Sequence, residues 1–273
     1  MELTVIKSAE PQIHETAVVD PTAKLHKNVI IEPYAVIGPN CEIGEGSIIG
    51  SHAVISKNVR MGKNNHVYPN AVIGEDPQDL KFAGEYSTVV IGNDNSFREF
   101  VTIHRATGEN CETRIGSHNM LQAYTHGANH CNFGDYIVMS SFSGAAGHVT
   151  VEDHAVIGGM SGIHQFVKIG ACAMVGGMSK IVQDVCPFVI VDGNPARVVG
   201  LNSVGLARNN ITPEVRSWLK KAYRTIFRSG LKLYEAIHEM EQDFPPTPEI
   251  EHLLRFLRNC ERGLCRTKDK SQK

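Results

Sequence analysis

A chain of 273 residues with 27 Lys and Arg against 29 Asp and Glu is close to neutral, at a formal net charge of −2. That balance argues against a nucleic-acid groove or an anionic membrane surface as partner, and the length suits one long repeat array plus a small second domain. Seven Cys without a CxxC pair fit a reducing, cytoplasmic compartment, no segment approaches roughly eighteen uninterrupted apolar residues, and Met1–Glu10 carries no visible secretory signal.

From Ile13 every sixth residue is large and apolar, through Val19, Leu25, Ile31, Ile37, Ile43, Ile49, Ile55, Met61, Val67 and Ile73. The series returns in phase at Ile91, Phe97, Ile103, Ile115 and Leu121, and by Ile181 it has filled 24 of 29 positions with Ile, Val, Leu, Met or Phe. A period of six fits neither a helix at about 3.6 residues nor a lone strand at two. It marks a parallel β-helix solenoid. Three hexads make one triangular coil of about 18 residues, and coils stack roughly 4.8 Å apart around a continuous apolar column. Asn58, Asn64, Asn70, Asp94, Asn95 and Asp135 read as turn residues, and so do His14, His26, His52 and His66. Cys41 and Cys131, two residues before Ile43 and Phe133, read as small core residues.

The register breaks at Asp79, Glu85, Glu109, Gly127 and Ala145. The first two fall in Asp76–Val89, expected as an external loop, and Arg105–Thr113 is expected as a shorter one; loops on a rigid scaffold often carry binding chemistry. Gly127 and Ala145 keep the frame with little volume and bracket a histidine cluster. Residues 18 apart lie on successive coils, so His130 and His148 should stack, with His126 and His164 near the same edge. Four imidazoles on one edge suit general-base chemistry, since the histidine pKa lies near working pH. The competing reading is zinc held across a trimer interface, as in the gamma-class carbonic anhydrases, with His126 and His130 as ligands. It needs a third His about two coils earlier, where Val90 stands, so no metal is expected.

The repeat ends at Asp192–Ala196, so the solenoid is expected over 1–196 and a helical domain over 197–266. Thr212 and Pro213 form an N-cap and first-turn pair for a helix running to Gly230. Leu233, Ile237 and Met240 mark a second helix, and Ile250, Leu253, Leu254 and Leu257 a third. Lys220, Lys221, Arg224 and Arg228 give the first helix a basic face, fit for solvent or for an acidic carrier protein. The tail 267–273 is expected to be disordered.

Several segments together carry a specific resemblance: GEDPQDLKFAGE at 74–85, VTIHR at 101–105, GHVTVEDHAVIGGMSGIHQF at 147–166, MVGG at 174–177, GNPA at 193–196 and FRSG at 227–230. The chain resembles, over nearly its whole length, the bacterial UDP-N-acetylglucosamine O-acyltransferases of lipid A synthesis. The resemblance implies an all-β left-handed parallel β-helix with a C-terminal α-helical domain, and a homotrimer with sites between subunits. It implies transfer of a 3-hydroxyacyl group from acyl carrier protein to the 3-hydroxyl of UDP-N-acetylglucosamine, without a cofactor. It also implies that Gln78, Asp79 and Lys81 contact substrates and that His126, His148, His164 and Gln165 line the cleft. Asn202 and Arg208 would approach the nucleotide, and Gly177 would leave room for a long acyl chain. The family's catalytic His corresponds to Asn129, whose amide lacks useful basicity, and His130 follows where the family usually has Asp. Val204 and Asn209 also depart, standing where Glu and Arg are usual. Three readings stay open: an acyltransferase using His130 or His126 as base, a silent paralogue that binds nucleotide sugar or acyl carrier protein, and an acyltransferase for another sugar or acyl donor.

Overall fold

The computed structural model describes residues 10–267. Short strands, most of them two residues long, visit three parallel sheets in turn and build a left-handed β-helix whose sheets contain 11, 9 and 8 strands. Paired residues stand one coil apart: Val18 pairs with Val36 in the second sheet and Lys24 with Glu42 in the third. The apolar sixth residue points inward, and Ile37, Ile55, Ile73 and Ile103 are fully buried above one another. Cys41 and Cys131 are inside as expected, and burial pushes the Cys131 thiol up to about 12.

Two coils carry insertions, since Val72 pairs with Thr102 and Thr102 with His126. Both insertions are whole hexads, which is why the apolar register returns in phase. The loops are shorter than expected at their far ends. Ser87–Ile91 and Cys111–Ile115 are strands paired along their full length, because Val89 and Ile91 are already inward core residues. Gly127 is no void either: a Cβ there would meet Ile103 at 2.9 Å and Phe133 at 3.7 Å, whose side chains fill the space.

The turns differ from expectation. Asn58, Asn64, Asn70 and Asp94 have φ near +56°, but so do bulky residues. His130, His148 and Phe166 have φ of 59°, 62° and 65°, and Phe100, Tyr124 and Phe142 lie at 61° to 62°. Each left-handed residue costs about 1 kcal/mol, and ring stacking between coils offsets it. The rings of Phe100, Tyr124 and Phe142 repeat at 4.8 Å, one per coil. Asn95 is not a turn residue: it is buried in an amide ladder, bonding Asn65 below and receiving Asn119 N–H above. His66 is likewise in a strand, stacked on Tyr68.

The solenoid ends in an antiparallel hairpin, Val189–Gly193 with Ala196–Leu201, so sheet structure continues past the expected boundary at 196. The helices are α1 (Ser203–Arg208), α2 (Pro213–Arg228), α3 (Leu233–Asp243) and α4 (Pro248–Arg258). Only α1 lacked a sequence signal. Thr212 and Thr247 cap α2 and α4 through their hydroxyls. Buried Asp184 joins the segment after α4 to the last coil, accepting the amides of Lys168 and Arg262. Apart from Thr267, the tail lies outside the described residues.

Candidate active site

Within the second sheet the residue just before each inward position points outward. In the lower coils this outward column is Val18, Val36, Val54 and Val72. In the upper coils it becomes Thr102, His126, Gly144, Gly162 and Lys180. The two glycines remove side chains from the face. A cleft of about 930 Å³ results, running along the solenoid axis from His126 to Lys180. Its other wall is the loop carrying Gln78, Asp79, Leu80 and Lys81. Ala128, Asn129, Gly147, His148, His164 and Gln165 complete most of the lining.

The four expected histidines do not share one edge. His126 stands on the sheet face, His164 in the column beside it, and His130 and His148 at the corner toward the third sheet. His130 and His148 do stack, with ring centroids 4.2 Å apart, and Phe166 continues the pile at 4.5 Å. His130 is outside the lining, and its Nε2 accepts the Thr107 N–H at 3.2 Å. That lone pair is the one a base would use.

His126 Nδ1 lies 2.8 Å from the Thr102 hydroxyl. Burial, and then the neighbouring His104, push its pKa down to about 4, so the ring is neutral at neutral pH. Burial and His130 also lower the His148 pKa, while the Asp79 carboxylate works in the other direction. Among the described residues the His148 ring has no hydrogen-bond partner, so the stack fixes its plane and leaves both nitrogens available. The His164 Nδ1 accepts from Arg262 at 3.2 Å.

Asn129 is buried at the cleft edge, its amide donating to the Thr107 hydroxyl at 3.4 Å, and that hydroxyl reaches Asp79 at 3.5 Å. The loop root is held by two residues not singled out from the sequence. Arg105 is only 1% exposed. It donates to the carbonyls of Gly74 and Ser87 and to the Asp76 carboxylate. His104 donates from Nδ1 to the Asp76 carbonyl at 2.6 Å and packs edge-on against His126. The signal in the sequence was the VTIHR segment directly before a loop, with Asp76 at the other loop's root.

Asn202, Arg208 and Gly177 do not line the cleft of the single chain. Asn202 is the N-cap of α1, accepting the Gly205 N–H and donating to the Cys172 carbonyl at 2.8 Å. Arg208 is exposed in the last turn of α1, and the Asn209 side chain caps that helix through the Gly205 carbonyl.

Residues 184–265 match the family described as UDP N-acetylglucosamine O-acyltransferase, domain 2, and residues 22–57 match the bacterial transferase hexapeptide family. An acyl-[acyl-carrier-protein]–UDP-N-acetylglucosamine O-acyltransferase from Thermodesulfovibrio yellowstonii is 46% identical over 93% of this chain and 99% of its own. LpxA from Acinetobacter baumannii is 42% identical, covers 93% of this chain and 99% of its own, and superposes with a TM-score of 0.90. The UDP-N-acetylglucosamine acyltransferase of Francisella novicida is 34% identical, covers 95% and 96%, and gives 0.92.

Proposed function

The chain belongs to the family of acyl-[acyl-carrier-protein]–UDP-N-acetylglucosamine O-acyltransferases, and from that premise we propose how its own cleft serves the reaction. The enzyme transfers a 3-hydroxyacyl group from acyl carrier protein to the 3-hydroxyl of UDP-N-acetylglucosamine, the first step of lipid A biosynthesis. The observation that carries the site is the outward column of the second sheet, where glycines open a groove between His126, His148 and the Asp79–Lys81 loop.

Asn129 accepts no proton, and His130 has its Nε2 engaged. His126, held near 4, is too weak a base at neutral pH by the Brønsted criterion. We therefore assign the proton-accepting role to His148. Its ring takes the proton of the sugar hydroxyl, the oxygen attacks the thioester carbonyl, and as the tetrahedral intermediate collapses the C–S bond breaks and the imidazolium returns the proton to the leaving carrier thiolate. Among the described residues the Gly147 N–H makes no hydrogen bond to the chain, and it serves as the donor to the oxyanion. Asp79 and Lys81 bind substrate from the loop, with Gln78, His164 and Gln165 around it.

A homotrimer completes the site in this reading. The outward column of the third sheet is polar or charged at Lys24, Glu42, Arg60, Arg114, Asn132, Thr150 and Lys168. The first sheet instead shows Met120, Val138, Val156 and Met174. Beside it, the corner with Tyr124, Phe142, Met160 and Met178 leaves Phe142 55% exposed. An uncovered apolar edge of this kind is an interaction surface, and a second copy across it brings the neighbour's Asn202 and Arg208 to the nucleotide. Seven unpaired cysteines suit the cytoplasm, and no helix among the described residues is long and apolar enough to cross a membrane.

Asn129 carries the second reading, a scaffold that binds substrates without turnover. The test is acyl transfer by native protein, His148→Ala, His130→Ala and Asn129→His. We expect His148→Ala to lose at least a hundredfold in kcat, within the range for a general base, and His130→Ala to keep most activity. A silent native protein that gains activity in Asn129→His supports the second reading and sinks the first.

A further inference from the structure

We propose that Asn129 is a positioning residue: through the Thr107 hydroxyl its amide holds Asp79, and with it the substrate-binding loop, at the edge of the cleft. The inference rests on the cleft being the acyl-transfer site. Asn129 is buried, and its Nδ2 donates to Thr107 Oγ1 at 3.4 Å. The one proton of that hydroxyl is donated to Asp79 Oδ2 at 3.5 Å. The order has a direction. An amide has N–H to give, an ionised carboxylate only accepts, and a hydroxyl between them does both. The Asn129 Oδ1 faces away, toward Gly147, where a Cβ would come within 2.9 Å of it. The other Asp79 oxygen accepts the Lys81 N–H at 3.0 Å, so a fixed carboxylate also fixes the turn that carries Lys81.

The second loop is built as a buttress for the first, and the register breaks Glu85 and Glu109 are its staples. Glu85 accepts the Gly108 N–H at 2.7 Å, and Glu109 accepts the Tyr86 N–H at 3.1 Å. The Asn110 N–H adds a bond to the Tyr86 carbonyl at 2.8 Å. These bonds tie the two loops where they run into Ser87–Ile91 and Cys111–Ile115, and they do not reach the tip. Among the described residues, the Thr107–Asp79 contact is the one hydrogen bond from residues 77–84 to the rest of the solenoid. Thr107 is itself pinned from below, its N–H donating to His130 Nε2 at 3.2 Å and its hydroxyl receiving Asn129. The two residues that depart from the family's His–Asp pair therefore both grip Thr107.

The experiment is a double-mutant cycle of Thr107→Val and Asp79→Ala, which separates action through Asp79 from general damage. It is read by kcat and KM for UDP-N-acetylglucosamine, by calorimetric binding of that nucleotide sugar, and by the rate of tryptic cleavage after Lys81. Thr107→Val keeps shape and the backbone bond to His130, and is expected to raise KM about tenfold, as for one bond to a charged group, with kcat changed far less. Cleavage after Lys81 should quicken severalfold. Asn129→Ala should move both readings the same way by a smaller factor, and Thr107→Ser, which keeps the hydroxyl, should stay within about twofold of native. In the Asp79→Ala background Thr107→Val should add less than about twofold. A full effect in that background, or Thr107→Ser no better than Thr107→Val, overturns the proposal. Binding and cleavage read the same cycle if the native protein does not turn over. Native protein that neither transfers nor binds the nucleotide sugar sinks the acyl-transfer reading, whereas unchanged cleavage after Lys81 in Thr107→Val sinks only the positioning role.

Discussion

The lower and upper coils of the second sheet share one backbone geometry and differ in what they show to the outside. Below, the outward column is Val18, Val36, Val54 and Val72; above, it is Thr102, His126, Gly144, Gly162 and Lys180. The inward column stays packed, because stacked coils demand volume on the axis and the side chains of Ile103 and Phe133 fill the space at Gly127. The outward column carries no packing demand from its own coil, so a run of glycines there opens a cleft without weakening the core. Function entered this solenoid through the residue before each core residue, and through two hexad-sized loops that left the register intact.

The largest expected effect lies at the loop root that the lower coils lack. Replacing Arg105 by Met takes the guanidinium from the Gly74 and Ser87 carbonyls and leaves the Asp76 carboxylate to Lys57 and the Ser87 carbonyl to Asn58. Losing one partner of a buried network costs about 3 kcal/mol, to be read from denaturant midpoints, together with loss of transfer as the Asp79–Lys81 loop loosens. Replacing exposed Arg60 on the third sheet in the same way should cost less than about 0.5 kcal/mol. Equal costs would remove the distinction between a built loop root and a solvated face.

Gly162→Val makes the upper column resemble the lower. The backbone is already extended and a Cβ there meets no neighbour within 4 Å, so the melting temperature should hold or rise. The cleft floor is filled, and kcat/KM should fall at least about a hundredfold through misplaced substrate. Retained transfer would mean that substrate does not lie along the glycines.

A smaller effect is expected in the pH dependence of stability. His126 has its pKa lowered by burial and then by His104 to about 4, against an ordinary 6.5. As pH falls through 6.5 the unfolded chain binds a proton that the folded site refuses, so stability is lost between 6.5 and 4. Going from pH 7 to pH 5 should cost about 2 kcal/mol, and His126→Gln should flatten that slope. An unchanged slope would show that His126 is better solvated than the fold implies.

How much of this was legible follows from the same contrast. The solenoid, both loops and the three longer helices could be read because core volume, whole-hexad insertions and N-caps leave periodic or local marks. The site was legible only in part. His126 falls one residue before an inward position, His164 one after, and His130 and His148 three after, so a single edge was too coarse a grouping. Direction changes with every residue of a hexad. The glycine floor gave no signal, because Gly144 and Gly162 sit where no packing rule applies. Arg105 and His104 were hidden for a different reason: their burial depends on a loop folding back over them.

The finest test uses one chemical change in opposite directions at equivalent positions. Thr102→Val and Val36→Thr exchange a methyl and a hydroxyl in the same outward column, three coils apart. Thr102 holds the His126 ring through a 2.8 Å contact to Nδ1, so its replacement leaves a mostly buried nitrogen unpaired. A lost hydrogen bond of this kind costs about 1 kcal/mol, and the freed ring should lower kcat severalfold while leaving KM for the carrier thioester nearly unchanged. Val36 faces outward far from the cleft, and its new hydroxyl can reach water, so its cost should stay within about 0.5 kcal/mol with transfer unaffected. Equal effects from the two would mean that the upper column gains nothing from its polar residues, and that the cleft owes its chemistry to the loop alone.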